Sequence, residues 1–161
     1  GSVLLEQGGF VVGVVNLQGR VYMDPCDNPF EIAEREVSRL RERTPVIFVD
    51  FHAEATAEKA AMAYFLDGRV TAVAGTHTHV QTADERILPG GTAFITDVGM
   101  TGPHGGIIGM DKGGVLNKFV RCVPQKFKPA EGCGMLHAAL IRADAETGKA
   151  LEISRISMQC E

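Results

Sequence analysis

Two histidines stand one residue apart in Gly75-Thr76-His77-Thr78-His79-Val80-Gln81, directly after an apolar run. In extended backbone, residues i and i+2 project to the same side. If Thr76 to Val80 stays extended, both imidazoles point at one spot while Thr76 and Thr78 point away. Two converging neutral imidazoles are good donors for a borderline divalent metal such as Zn²⁺ or Fe²⁺. The ordinary alternative is two unrelated histidines, one of them hydrogen-bonded at a strand end. What else converges on the pair decides between them.

His52 closes a second apolar run, in the segment Asp50-Phe51-His52-Ala53-Glu54-Ala55-Thr56. If the two runs are neighbouring parallel strands, His52, His77 and His79 come within reach of one another and form a metal-binding half-site. Asp50 and Glu54 are the nearest carboxylates. Either is a candidate outer partner that fixes an imidazole tautomer, although Asp50 equally suits a cap on the following turn. Asp97 ends another apolar run before a Gly-rich stretch, where it faces the same site or simply initiates the turn. His104 reads as a solvent-exposed loop histidine, and His137 as a satisfied structural one among apolar neighbours. Gln81 and Thr101 border the site in sequence and are candidate hydrogen-bond donors to an anion. No nucleophile elbow, P-loop or dinucleotide-binding glycine pattern occurs. Metal-assisted hydrolysis is the chemistry left.

The elements that must position these residues are legible from periodicity. Phe10 to Asn16 and Pro45 to Phe51 are nearly continuous apolar runs, the pattern of buried strands. Asn28-Pro29-Phe30-Glu31 starts a helix, with Asn as cap and Pro at the first helical position. Phe30, Ala33, Val37 and Leu40 follow at helical spacing and make its apolar face. A second helix starts near Thr56, with Ala60 and Tyr64 packing inward, and ends near Gly68. Val70 to Ala74 is a third strand, with the paired histidines just beyond it. Arg86 to Leu88 and Thr92 to Val98 form a hairpin through a Gly-rich turn. Gly99 to Gly109 is a loop whose backbone can approach a ligand. A helix follows from about Asp111 to Val120, and Met135 to Ala143 pairs with Ala150 to Met158. No element is assigned before Phe10. Alternating strands and helices, then mostly strands, predict an α/β fold built on a mixed sheet with helical cover. Ligands in such sheets collect beyond the C-terminal ends of the strands, where all three histidines fall.

A chain of 161 residues is the size of one domain, here taken as a single unit over 1–161. Its net charge of −4, with signs interspersed, argues against a nucleic-acid-binding surface. Four scattered cysteines without C-x-x-C spacing favour reduced thiols in a cytoplasmic protein. No apolar run approaches a membrane span, so no membrane partner is expected.

Phe48 to Thr56 (FVDFHAEAT), Gly75 to Thr82 (GTHTHVQT) and Thr96 to Pro103 (TDVGMTGP), in that order and spacing, closely resemble the YmdB family of calcineurin-like metallophosphoesterases. The resemblance runs from about Val11 to Ser157. It implies a 2′,3′-cyclic-nucleotide 2′-phosphodiesterase whose metal ligands include His52, His77 and His79. By the superfamily pattern His52 and His77 would hold one ion and His79 the other. Two divalent ions would act together, Mn or Fe by the resemblance and Zn by ligand type. They would lie about 3.5–4 Å apart and share a hydroxide that attacks phosphorus in line.

The same resemblance implies three further motifs: G-D-x-x-G, an N-G-E-N segment and a G-N-H segment. They carry the carboxylate and asparagine ligands and the histidine proposed as general acid. None occurs in these residues. The chain is therefore expected to be the C-terminal half of the sandwich, with the N-terminal half on its own longer chain or on another polypeptide. Alone, it is expected to bind metal weakly and to be nearly inactive. An exposed apolar sheet edge should then pair with that missing half or drive homo-oligomerisation. A tyrosine is expected after Gly-Pro in the third motif, where this chain has His104. Two further readings stay open: a non-catalytic interaction module of the same fold, and an amidohydrolase-type barrel, for which 161 residues are few.

Overall fold

The computed structural model describes residues 1–159; Cys160 lies outside the described residues. Ser2–Gln7 (β1) and Phe10–Gln18 (β2) form an antiparallel hairpin. Its turn is Gly8-Gly9, with φ of +59° and +83°, values that glycine adopts without the Cβ penalty. The first strand lies outside the elements expected from the sequence. The Gly-Gly pair between Val3-Leu4-Leu5 and Phe10-Val11-Val12 is its available signal.

Pro29–Arg41 (α1) starts as its sequence requires: the Asn28 side chain accepts from Phe30 N at 3.1 Å. Ile47–His52 (β3), Thr56–Phe65 (α2) and Ala72–Thr76 (β4) follow. Arg86–Ile87 (β5) and Ala93–Ile95 (β6) are the expected hairpin. The six strands lie in the order β1-β2-β3-β4-β6-β5. β2, β3, β4 and β6 run parallel, with antiparallel strands at both edges. The sheet is mixed, and it is open, which excludes the amidohydrolase barrel. Gly102–Pro103 (β7), Lys112–Arg121 (α3), Gly134–Ala143 (β8) and Ala150–Gln159 (β9) complete the chain, with β7-β8-β9 as a second sheet.

Period-two alternation divides the large sheet between two faces. Ile47, Val49 and Phe51 of β3 are fully buried and pack with Val37 and Leu40 of α1 and Met62 of α2. The alternate residues Phe48, Asp50 and His52 belong to the other face. There Phe48, Ala72 and Ala93 meet Ala150, Ile141 and Ile153 of β8 and β9. The helical cover therefore lies on one side and the small sheet on the other. The inward residues of α2 are Lys59, Met62 and Ala63; Tyr64, expected inside, is 59% exposed. At the sheet edge β1 leaves Val3 and Leu5 exposed. Among the described residues no helix is long and apolar enough to cross a membrane.

The parallel register aligns Gln18, His52 and Thr76 at one edge of the sheet. Gly75 makes that edge possible, because a Cβ there would collide with the carbonyl oxygen of Thr96. Gly75→Ala should push β4 from its neighbour and cost at least about 2 kcal/mol, as overpacking of a tight site does. Urea unfolding checks this; an unchanged midpoint would contradict the close approach.

Candidate metal centre

His52 ends β3, and its Nδ1 lies 3.1 Å from Thr76 Oγ1. That hydroxyl donates its only proton to Asp50 Oδ1 at 2.9 Å, so the His52 Nδ1–H must be the donor to it. The other Asp50 oxygen accepts from Asn16 Nδ2 at 2.7 Å. Asp50 is thus the far end of a chain that sets a tautomer, and it caps no turn. Neutral His52 is left with its lone pair on Nε2.

That lone pair faces Nδ1 of His77 at 3.0 Å, and the two rings stand nearly perpendicular with centroids 4.8 Å apart. On its far side His77 Nε2 lies 3.0 Å from Glu54 Oε2. The contact between the rings is a hydrogen bond, and with the His52 lone pair on Nε2 its donor is the His77 Nδ1–H. A cation held by these two nitrogens would take the place of that proton. His79 follows the same rule elsewhere: its Nδ1 donates to the carbonyl of Ile108 at 3.0 Å, leaving Nε2 as a donor to metal. His52 and His79 tie down the outer N–H as metal-binding imidazoles do, by hydroxyl and by carbonyl, and the Glu54 carboxylate stands on the outer side of His77. The donor set fits a borderline divalent ion. Among the described residues, however, no three His, Cys, Asp or Glu side chains gather into a complete cage.

The backbone reaches this arrangement by a different route from the extended one expected. β4 ends at Thr76; His77 has φ +108° and His79 φ +65°, values that non-glycine residues rarely adopt. His77 therefore meets His52, while His79 turns toward the Gly-rich loop. Thr76 does not point away but belongs to the His52 relay. Thr78 is held by Asp97, whose Oδ2 accepts from its N at 3.0 Å and its Oγ1 at 2.7 Å. The same oxygen accepts from Lys59 Nζ at 2.8 Å, and both side chains of that ion pair are 0% exposed. Asp97 Oδ1 accepts from Gly99 N at 2.8 Å. Burial works to raise the Asp97 pKa, but Lys59, Thr78 and the Gly99 amide more than offset it and hold the carboxyl below its ordinary range.

With this geometry in view, a family model described as YmdB-like protein matches residues 1–156. The chain belongs to the YmdB-like family. It is 51% identical over 156 residues to the 2′,3′-cyclic-nucleotide 2′-phosphodiesterase of Bacillus subtilis strain 168, covering 97% of this chain and 59% of that protein. It is 35% identical over 159 residues to a putative phosphatase/phosphodiesterase of Mycoplasma pneumoniae, covering 97% of this chain and 56% of that protein. Two crystal structures share the fold. A hypothetical protein from Thermus thermophilus superposes with a TM-score of 0.92 at 42% identity, over 99% of this chain and 62% of that one. A novel phosphatase from Mycoplasma pneumoniae gives 0.90 at 34% identity, over 99% and 57%. The chain thus spans less than two thirds of the length of the curated relatives it matches.

Within this YmdB-like chain the residues bordering the histidines divide by role. Glu54 contacts His77. Gln81 Nε2 lies 3.1–3.2 Å from the carbonyls of Val98, Ala138 and Ile156, so its N–H groups tie the histidine loop to the second sheet. Thr101 is exposed on the Gly-rich loop. His104 is partly buried rather than solvated, and it packs on His137. His137 Nδ1 is buried without a partner, so that residue is not the satisfied histidine expected. Lys59 escapes a reading of the sequence altogether; a lone charge on the apolar side of α2 is its signal.

A carboxyl with a depressed folded pKa stabilises the fold above its unfolded value, and loses that stabilisation as pH falls through the folded one. Asp97→Asn should lower stability at neutral pH by about 3–5 kcal/mol, the cost of breaking a buried pair. The gap from the parent should narrow as acid protonates Asp97. Urea midpoints across pH test both; a gap independent of pH would contradict the assignment.

Proposed function

We propose that this chain supplies the imidazole side of a dinuclear metallophosphodiesterase centre acting on 2′,3′-cyclic nucleotides or related small phosphodiesters. The observation that carries the reading is the anchoring of the outer N–H groups of His52 and His79, with His52 Nε2 and His77 Nδ1 brought face to face at 3.0 Å. The name of the B. subtilis relative supports the substrate class. His52 and His77 would hold one divalent ion and His79 the other, Mn or Fe, with Zn as the alternative. When bound, such ions neutralise phosphoryl charge and make water nucleophilic at neutral pH.

The contribution of this chain is positional. The Asp50–Thr76 relay aims His52 Nε2 at His77, and Glu54 holds the far side of the His77 ring. The strained loop, pinned at Thr78, separates His77 from His79. Of the three residues expected at substrate, Glu54 and Gln81 are committed to His77 and to main-chain carbonyls, which leaves the exposed Thr101. Bridging carboxylates and the general acid would come from the N-terminal half or another chain. The exposed edge of β1 is the place for that half or for a second copy to pair. Cys26, Cys122 and Cys133 are free and exposed, which supports a reducing, cytoplasmic setting.

The full-length protein with Mn²⁺ should hydrolyse bis-p-nitrophenyl phosphate and open 2′,3′-cyclic AMP to the 3′-phosphate. His77→Ala should remove nearly all of that turnover, and a variant as active as the parent would sink the proposal. Calorimetry should show that Glu54→Gln weakens metal binding by about 10–100-fold, as loss of an outer partner does. The isolated chain should run larger than a monomer in size-exclusion chromatography.

A further inference from the structure

A second pair of histidines lies across the loop from the first. His104 follows β7 and His137 sits in β8, their rings nearly perpendicular with centroids 4.5 Å apart. Both line a cavity of about 380 Å³, whose walls include His79, Met100 and Ile108. That size is within the range of small-molecule sites.

Hydrogen bonding sets what the pair offers. His104 Nδ1 lies 3.0 Å from the carbonyl oxygen of Gly102. A carbonyl only accepts, so Nδ1 bears the proton and Nε2 keeps the lone pair. His137 Nδ1 is buried with no partner, packed so closely on Gly99 that a Cβ there would come within 2.7 Å of it. Orphaned buried N–H groups are rarer than unused acceptors, so the His137 proton belongs on Nε2. Burial and the neighbouring His104 both favour its uncharged form. The pair therefore offers a ligand one acceptor and one donor, between the apolar walls of Met100 and Ile108. An anion would need charge, and the arginine of this cavity is already engaged, Arg155 Nε donating to Glu85 at 2.9 Å.

We propose that this cavity binds the base of a nucleotide, a planar heterocycle whose edge carries neighbouring donor and acceptor groups. His79 forms part of its wall and joins it to the candidate metal centre, so a base seated here leaves its ribose phosphate beside that centre. The proposal deepens the phosphodiesterase reading and rests on it for what the phosphate end meets.

Adenosine has a base and no phosphate, which makes it the direct probe. It is titrated into the metal-free chain while the ring Cε1–H NMR signals of the five histidines are followed. The His104 and His137 signals should shift saturably, and those of His52 and His77 should not. His137→Phe keeps a flat ring but removes the donor, and should weaken adenosine binding about tenfold, one hydrogen bond's worth. His104→Phe, which removes the acceptor, should do the same and guards against a folding defect in the first variant. Inorganic phosphate shifting these two signals while adenosine does not would overturn the proposal in favour of an anion site. No saturable shift with adenosine would also overturn it. Since neither metal nor hydrolysis enters the measurement, its failure would leave the metal-dependent reading standing, and the reverse holds too.

Discussion

The buried ion pair between Lys59 and Asp97 is the constraint on which the site depends. Removing two charges from water carries a penalty of several kcal/mol for each ion, and their attraction offsets it only when the remaining hydrogen-bonding capacity is filled. Asp97 meets that condition, accepting from Lys59, from the Thr78 amide and hydroxyl, and from the Gly99 amide. One carboxylate thereby joins α2, the histidine loop and the start of the Gly-rich loop. A hydrophobic pair of similar volume would stabilise the core as well, but it would offer nothing for Thr78 to bind.

That anchoring explains how the loop sustains its backbone. A non-glycine residue at φ +108°, as at His77, costs on the order of 1–3 kcal/mol and persists only when its surroundings over-determine it. Thr78 is fixed by Asp97 on one side, and His77 by His52 and Glu54 on the other. Gln81 then ties the end of the loop to both long strands of the second sheet. The imidazoles are positioned by two sheets and a helix together, so their directions are set before any ligand arrives. This is what metal binding requires of neutral ligands.

Much of the fold was legible because it rests on local periodicity. The apolar runs of β2, β3 and β4, the Asn28-Pro29 helix start and the β8–β9 pair all lie where their patterns put them. β1 lies outside the elements expected from the sequence, although Gly8-Gly9 between apolar triplets is a hairpin signal. The inward face of α2 departs from its sequence pattern for a physical reason. Tyr64 looks like a core residue and Lys59 like a surface one, and only a carboxylate on another strand reverses the preference. His104 and His137 escaped similarly, since each looks ordinary until β7 pairs with β8 and brings the rings together.

By itself the sequence determined the family, the mixed α/β sheet and the three imidazoles that fall at its C-terminal edge. These follow from residue type, spacing and period, which are local properties. Which nitrogen of each ring is free, and the fact that His77 meets His52 while His79 does not, were decided only by the tertiary structure. Tautomer and direction depend on partners distant in the chain: Thr76 for His52, Glu54 and His52 for His77, and Ile108 for His79. An i, i+2 spacing constrains side chains only while the backbone stays extended, and Asp97 draws this backbone out of that conformation.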